Sequence, residues 1–358
     1  MTRLIELLIS LAIVAVIFVT VGVVLPSSRH LEHSVETNRK QTIVFDTLNS
    51  LRRFPDWNPL VMKDPAMQVK VSGPDAGVGA RLDYSSKERG LRDGSWEIVE
   101  SVPGERVVFA LEDVEPGNNK RTAFNLRKTG KGGRNIAITQ TFDVDYGWNL
   151  IGRYAGLYVS SNVGEDMKMG LNRLTNMLAT VPNYDYAELS KDDPSKAPKL
   201  ADRPAENLLV VTAVVPRDND KVQAQMRGNV EWIKKVMAAN GLEAAGPVRI
   251  ITNEFGAETY SFDVAQPVRR TGDTGAATAL TGIKLEGPVT VAFNEPAKLA
   301  VVPVKGHMAN LPKMRDALRG WALTRGYETV ERPYEVWKSG IDAGFTEVGE
   351  FDVYWSIK

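Results

Sequence analysis

The 358-residue chain contains no cysteine. This absence excludes disulfides, thiolate nucleophiles and cysteine-ligated metals. Histidine is scarce too, with only His30, His33 and His307. A histidine-rich metal site or a Ser-His-Asp triad would have to be assembled around His307, and no motif favours either. We therefore predict neither a metal site nor a cofactor.

The chain also lacks net charge, because 44 Lys+Arg residues balance 44 Asp+Glu residues. Proteins that bind nucleic acids generally carry a basic excess, at least on one domain. We therefore predict no nucleic-acid partner. The sequence carries no signature of a particular protein partner.

The N-terminus contains the longest apolar run, the 19 uncharged residues 7–25. A helix of this length nearly matches a hydrocarbon core of about 30 Å. A cleavable signal peptide usually has about 7–15 apolar residues and a small-x-small cleavage site, whereas this run ends in Leu25-Pro26-Ser27-Ser28. We predict that residues 1–28 form an uncleaved single-pass anchor, with residues 4–25 in the membrane.

The basic residues flanking the anchor do not decide its orientation. Arg3 precedes the apolar run, and Arg29, Arg39 and Lys40 lie beyond it. An anchor this close to the N-terminus most often exports the part of the chain on its C-terminal side. We therefore expect an inner (cytoplasmic) membrane protein whose soluble domains are periplasmic, or otherwise extracytoplasmic.

The C-terminal part of the chain contains an internal repeat, in which residues 298–357 are a diverged copy of residues 207–264. Each copy reads as a strand, a helix ending near a glycine, and two further strands. One copy is too small to bury its apolar face, so we expect both to pack around one core in a domain of residues 207–358. A groove between the copies would be a natural ligand site. Residues 181–206, rich in Pro, Asp, Lys and Ala, are predicted to be a linker.

Residues 29–180 alternate short β-like runs with Gly, Pro and Asn turns and end in a helical stretch with an apolar stripe. This order predicts an antiparallel sheet curved around one long helix, with a cavity between them. The fold class is therefore α+β: a transmembrane helix, a helix-grip sheet domain and a duplicated β-α-β-β domain. The predicted strands are 31–37, 68–72, 80–86, 94–100, 105–112, 121–128 and 135–145, and the stripe is Met167, Leu171, Leu174 and Leu178.

The first domain resembles the START/polyketide-cyclase-like (SRPBCC) superfamily over about residues 29–180. The resemblance is carried by residues 51–59 (LRRFPDWNP), 77–82 (GVGARL) and 96–100 (WEIVE). It implies a central cavity that binds lipids, sterols, polyketides or hormones. No acid–base pair carries over from the superfamily, so we assign no catalytic residue in this domain.

The repeat domain resembles the GyrI-like (gyrase-inhibitor-like) small-molecule-binding family over about residues 205–358. Residues 333–337 (PYEVW) and 351–354 (FDVY) carry the resemblance. It implies a glutamate at the floor of an aromatic-lined pocket that faces cationic, lipophilic ligands, and Glu335 matches that position. The chain lacks the DNA-binding module of the regulators in this family, which argues against a direct role in transcription.

Glu335 is also a candidate on physical grounds, because it shares a strand face with Trp337. A carboxylate beside an indole is costly to bury unless it meets a cation, which cation–π contact with the indole would assist. The alternative is that both side chains point to solvent or that Glu335 pairs with a lysine. The predicted ligand-binding residues are Glu335, Trp337, Tyr334, Tyr354, Tyr260 and Trp232, although Trp232, in a repeat helix, is also typical of a core residue.

These features predict a membrane-anchored, non-enzymatic receptor or carrier for hydrophobic small molecules or lipids, cations among them. The alternative is a hydrolase. Some GyrI-like proteins hydrolyse reactive cyclopropane-containing compounds, and the resemblance implies that Glu335 would then be the general base. A third class is an envelope protein that recruits a protein partner.

Overall fold

The computed structural model describes residues 2–358. The chain divides into two compact units, Met1–Val181 with Thr324–Gly326, and Pro182–Leu323 with Tyr327–Lys358. Both units combine antiparallel sheets with helices. The predicted α+β fold class is therefore confirmed.

Helix α1, Thr2–Val24, begins the first unit. Its segment Arg3–Val24, 22 residues long, would extend about 33 Å at 1.5 Å per residue. Its apolar side chains are almost all exposed. Helix α1 is thus long and apolar enough to cross a membrane, a test that a signal sequence would also pass.

The first unit contains a seven-stranded antiparallel sheet in the order β1-β7-β6-β5-β4-β3-β2. Strands β2 to β7 follow one another as hairpins, and β1 pairs with β7. Gly117 closes one hairpin at φ +122, where a Cβ would lie 2.3 Å from Val144, so only glycine fits this turn. The strands are β1 (Ser28–Thr37), β2 (Gln68–Ser72), β3 (Arg81–Ser85), β4 (Asp93–Val102), β5 (Arg106–Glu112), β6 (Asn118–Thr129) and β7 (Asn135–Asp145).

Helix α6, Val159–Ala179, is the long helix of this unit and packs against β1. It buries the predicted stripe of Met167, Leu171, Leu174 and Leu178. This burial fixes which face of α6 lies toward the sheet. The shorter helices are α2 (Gln41–Leu48), α3 (Phe54–Trp57), α4 (Leu60–Lys63) and α5 (Leu150–Ala155).

The second unit contains a nine-stranded sheet in the order β13-β9-β12-β11-β15-β16-β14-β8, with β10 paired to β12. The two repeat copies, β9-α7-β11-β12 and β14-α8-β15-β16, occupy equivalent halves of this sheet. They join where β11 pairs with β15, with Ile250 opposite Glu335. The elements are β8 (Lys199–Arg203), β9 (Glu206–Pro216), α7 (Asn219–Ala239), β10 (Leu242–Ala244), β11 (Arg249–Phe255), β12 (Thr259–Arg270), β13 (Thr290–Asn294), β14 (Ala297–Lys305), α8 (Leu311–Thr324), β15 (Thr329–Trp337), α9 (Gly340–Gly344) and β16 (Glu350–Ile357).

The segment predicted as a linker, residues 181–206, differs from that expectation. It contains β8, which pairs with β14 through Ala300 opposite Leu200. Strand β8 covers an edge of β14 that would otherwise expose unpaired backbone groups. Its side chains are mostly exposed, so it has none of the apolar alternation by which a strand is recognised in sequence.

Candidate functional site

The two repeat copies enclose a cavity of about 220 Å³ in the second unit. It lies between the start of α7, the start of α8 and the β11–β12 hairpin. Both copies contribute to its wall, as the predicted groove requires. The lining residues are Arg217, Asn219, Val222, Phe255, Tyr260, Met308, Ala309, Pro312 and Arg315.

Glu335 is fully buried behind this wall, with a relative exposure of 0%. Its Oε1 accepts a hydrogen bond of 2.5 Å from Nε of Arg315. Burial alone would lower the pKa of Arg315, but the charge and hydrogen bond of Glu335 outweigh it and raise that pKa. Arg315 therefore supplies, from within the chain, the cation that sequence reasoning assigned to a ligand or a lysine.

Tyr260 connects this ion pair to the cavity. Its hydroxyl lies 3.0 Å from Oγ1 of Thr252 and also contacts Arg315. Burial raises the pKa of Tyr260, and the negative charge of Glu335 raises it further. Glu335, Arg315 and Tyr260 thus form one polar cluster, of which Arg315 and Tyr260 reach the cavity surface.

Trp337 lies on the same sheet face as Glu335, as the alternation predicted, but it is not part of the cavity wall. Its ring packs on Phe351, at 5.0 Å between centroids. A Cβ placed on Gly344 would lie 2.3 Å from Cζ3 of the indole, so α9 covers the ring closely. Trp337 is 2% exposed and belongs to the core, so the structure places this predicted contact outside the cavity wall.

Tyr334 and Tyr354 lie on the opposite face of the sheet from Glu335. They are directly opposite each other in β15 and β16, and their rings stack at 5.0 Å and 13°. Burial, with the charge of Asp352, raises the pKa of Tyr354 to about 12. Because successive strand residues alternate between faces, the structure separates Tyr334 and Tyr354, two of the predicted ligand-binding residues, from Glu335.

Trp232, the remaining predicted contact, lies on α7 outside the cavity wall. Its side chain is 37% exposed, and Nζ of Lys235 lies 4.6 Å from the ring centroid. The structure therefore brings together Glu335 and Tyr260, and separates both from Trp232.

Of the residues that line this cavity, only Tyr260 was predicted from sequence, and the two charged ones, Arg217 and Arg315, were missed. The guanidinium of Arg217 lies 4.0 Å from the centroid of Phe255, and Nη1 donates to the carbonyl oxygens of Gly256 and Ala257. The sequence pointed to them only indirectly. A buried carboxylate such as Glu335 requires a cationic partner, but the sequence does not show which basic residue supplies it.

The first unit contains a larger cavity, of about 510 Å³, between the curved sheet and α6. This is the cavity expected from a sheet wrapped around a long helix. Its wall is largely apolar and aromatic and draws on the sheet, α3, α6 and the segment that connects β7 to α6. The apolar lining includes Trp57, Tyr84, Trp96, Leu111, Phe142, Val144, Tyr146, Val159, Val163 and Met167.

Polar and charged side chains also line this cavity, and Lys120, Thr122 and Gln140 form a buried group among them. Nζ of Lys120, which is 6% exposed, donates to Asp113 Oδ1. Nε2 of Gln140 donates to Oγ1 of Thr122 at 3.1 Å, and the Thr122 hydroxyl donates to the carbonyl oxygen of Thr141 at 2.7 Å. The wall can therefore offer hydrogen bonds to one polar group of an otherwise apolar ligand.

Tyr84, in the wall of this cavity, is expected to make the stability of the protein depend on pH in the alkaline range. Burial, with the charges of Asp113 and Asp93, raises its pKa from 10.0 to about 12. Its contribution to stability is therefore complete below about pH 10 and is lost as pH rises toward 12. When the pH rises from 9 to 11, the free energy of unfolding should fall by about 1 kcal/mol less in the Tyr84→Phe variant than in the unmodified chain. Urea unfolding at both pH values measures this, and equal losses would contradict it.

No protein-family model and no curated protein match the chain. The C-terminal domain of EcmrR aligns at 17% identity over 45% of this chain and 96% of that domain, with a TM-score of 0.36. Norcoclaurine synthase from Thalictrum flavum, solved with dopamine and hydroxybenzaldehyde, aligns at 12% identity over 42% of this chain and 87% of the synthase chain, with a TM-score of 0.33. A hydrolase from Listeria innocua aligns at 10% identity over 46% of this chain and 92% of the hydrolase chain, with a TM-score of 0.34. With TM-scores below 0.5, these similarities assign no function to the chain.

Proposed function

We propose that this protein is a non-enzymatic binding protein, anchored in a membrane by α1, that holds a hydrophobic small molecule or lipid in the cavity of its first unit. The observation that carries the proposal is this cavity of about 510 Å³. Its volume falls in the range of about 300–1,000 Å³ typical of ligand sites, which are mostly apolar with a few placed polar groups. The periplasmic location remains part of the proposal.

The ligand that suits this wall is amphipathic. Apolar side chains such as Leu111 and Phe142 would contact its hydrophobic body. Lys120 and Gln140 would bind its polar group. Because Lys120 already pairs with Asp113, the site does not require an anionic ligand.

Native mass spectrometry of the full chain, released from lipid nanodiscs, tests this proposal. We expect a bound molecule at one copy per chain that survives removal of bulk lipid. A chain that emerges empty, and that no lipid or apolar dye reloads, would contradict the proposal.

The second cavity is proposed to bind a neutral or anionic molecule rather than a lipophilic cation. The charged residues in its wall are Arg217 and Arg315. The carboxylate behind it, Glu335, already pairs with Arg315. A cationic ligand would therefore approach two guanidinium groups without a free carboxylate to balance it.

Hexanesulfonate is accordingly expected to compete for the second cavity about threefold better than hexyltrimethylammonium. The affinities of both compounds are measured by their displacement of a fluorescent probe from the full chain. Arg217→Gln should remove the difference, because Arg217 lines the cavity. Lys234→Gln, on an exposed part of α7, is the matched control and should preserve it. Tighter binding of the cation would restore the interpretation in which Glu335 attracts a ligand.

Hydrolysis in the second unit is the second candidate, and one observation favours it. Oε2 of Glu335 is buried and has no hydrogen-bond partner among the described residues. This oxygen would accept the proton from an attacking water if Glu335 acts as general base. Glu335→Gln should then abolish turnover while ligand affinity stays within a few fold, and loss of binding alone would favour the receptor.

A further inference from the structure

An exposed apolar surface lies on α5, the turn before it and the 3₁₀ turn directly after it. We refer to Trp148, Ile151, Leu157 and Tyr158 as the α5 patch. Their relative exposures are 80%, 69%, 50% and 65%. Four large apolar side chains this exposed within eleven residues indicate a surface that contacts something other than water.

The α5 patch adjoins the membrane helix. The hydroxyl of Tyr154 on α5 donates to the carbonyl oxygen of Phe18 at 2.8 Å, and their rings stack with centroids 4.6 Å apart. Leu150 of α5 packs on Gly22, where a Cβ would lie 3.2 Å from that of Leu150. Since Phe18 precedes the end of α1 by six residues, α5 lies beside roughly the last 9 Å of that helix.

Arg153 makes this contact compatible with an apolar environment. It is 7% exposed, and its Nη1 donates to the carbonyl oxygens of Val23 at 2.8 Å and Leu25 at 3.1 Å. These carbonyls lie in the last turn of α1 and directly after it, where they have no intrahelical partner. Arg153 is also the only charged residue between positions 146 and 163. Its guanidinium is bound by the end of α1 and by the carbonyl oxygen of Gly147, so the exposed surface of this segment carries no charged side chain.

The same segment forms part of the wall of the first cavity. Ala155 and Val159 line the cavity, while Leu157 and Tyr158, between them in sequence, are exposed. One turn of chain therefore separates the cavity from the α5 patch. A molecule that reaches the cavity at this point would come from whatever contacts the patch.

We propose that the α5 patch inserts into the interfacial layer of the bilayer that α1 crosses, and that the first cavity takes up a membrane lipid from this side. Trp and Tyr are enriched in that layer, and short amphipathic segments bind it through buried apolar area. The bilayer is the occupant because the patch is continuous with α1. This inference rests on the proposed function for the identity of the ligand, but the insertion can be tested separately.

The absence of cysteine allows a clean test of insertion. Nitroxide labels are placed at Tyr158→Cys in the α5 patch and at Val78→Cys, a residue 60% exposed in a loop of the same unit. The full chain is reconstituted in phosphatidylglycerol–phosphatidylcholine vesicles. The label at 158 should be accessible to oxygen and shielded from a water-soluble nickel chelate, and the label at 78 should show the reverse. A nickel-accessible label at 158, or one shielded from both reagents by a protein, would overturn the proposal.

Charge insertion tests the route to the cavity. Ile151→Glu in the Tyr158→Cys background should make the label nickel-accessible and slow the exchange of cavity lipid for deuterated vesicle lipid about tenfold. Val78→Glu should change neither. Exchange that is unaffected by Ile151→Glu would overturn uptake from this side. Lipid in the cavity with a water-exposed label at 158 would refute this inference alone, whereas a cavity empty in every variant would refute the proposed function.

Discussion

Glu335→Ala is expected to lower the free energy of unfolding of the second unit by about 3–5 kcal/mol, the usual cost of removing one partner of a buried ion pair. Glu335 is fully buried, and its partner Arg315 keeps only 12% of its side chain exposed. The substitution would leave the guanidinium buried without a counter-charge. Urea unfolding of the full chain, followed by a probe in each unit, measures the loss.

The matched control removes an exposed ion pair of the same unit. Glu231→Ala breaks the contact with Lys234, whose side chain is 63% exposed, and should change stability by less than about 0.5 kcal/mol. Replacing both Glu335 and Arg315 by leucine should recover much of the loss, because no charge then remains buried. A cost below about 1 kcal/mol for Glu335→Ala would show that the pair is not the electrostatic centre of this unit.

Leu111→Trp is expected to weaken binding of an apolar fluorescent probe to the first cavity at least about tenfold, because the larger side chain occupies space that the ligand needs. Leu111 lines the cavity from β5. Overpacking itself costs about 1–3 kcal/mol of stability, so unfolding of the variant must be measured alongside binding.

Val71→Trp provides the control for this substitution. Val71 lies on β2, is 39% exposed and is not part of the cavity wall. Its replacement should leave probe affinity unchanged. Equal affinity in the Leu111→Trp variant would place the probe, and the binding function, elsewhere.

The fold was largely predictable wherever local signals mark the element boundaries. The predicted limits of β2 and β7 agree with the structure, because turn residues delimit both strands. Strand β13, by contrast, exists because it pairs with the edge of β9. Pairing across a distant part of the chain leaves no local periodicity from which to predict a strand.

The candidate sites were predictable only as far as strand alternation reaches. Alternation placed Glu335 and Trp337 on one face of the strand. The same rule places Tyr334 on the other face, away from these two predicted ligand-binding residues. The pairing of Glu335 with Arg315 depends on how α8 rotates against the sheet, which tertiary packing decides. The α5 patch was not predicted, because it depends on the burial of Arg153 and on the contact between Tyr154 and Phe18, which tertiary packing decides.

The central claim is that the first unit binds a hydrophobic ligand in the cavity lined by Leu111, Phe142 and Met167. A high-resolution structure of the full chain, purified from its native membrane without added ligand, tests it most directly. We predict continuous density for an amphipathic molecule in this cavity, with its polar group near Lys120 and Gln140. Side chains that fill the space, or ordered water alone, would contradict the claim.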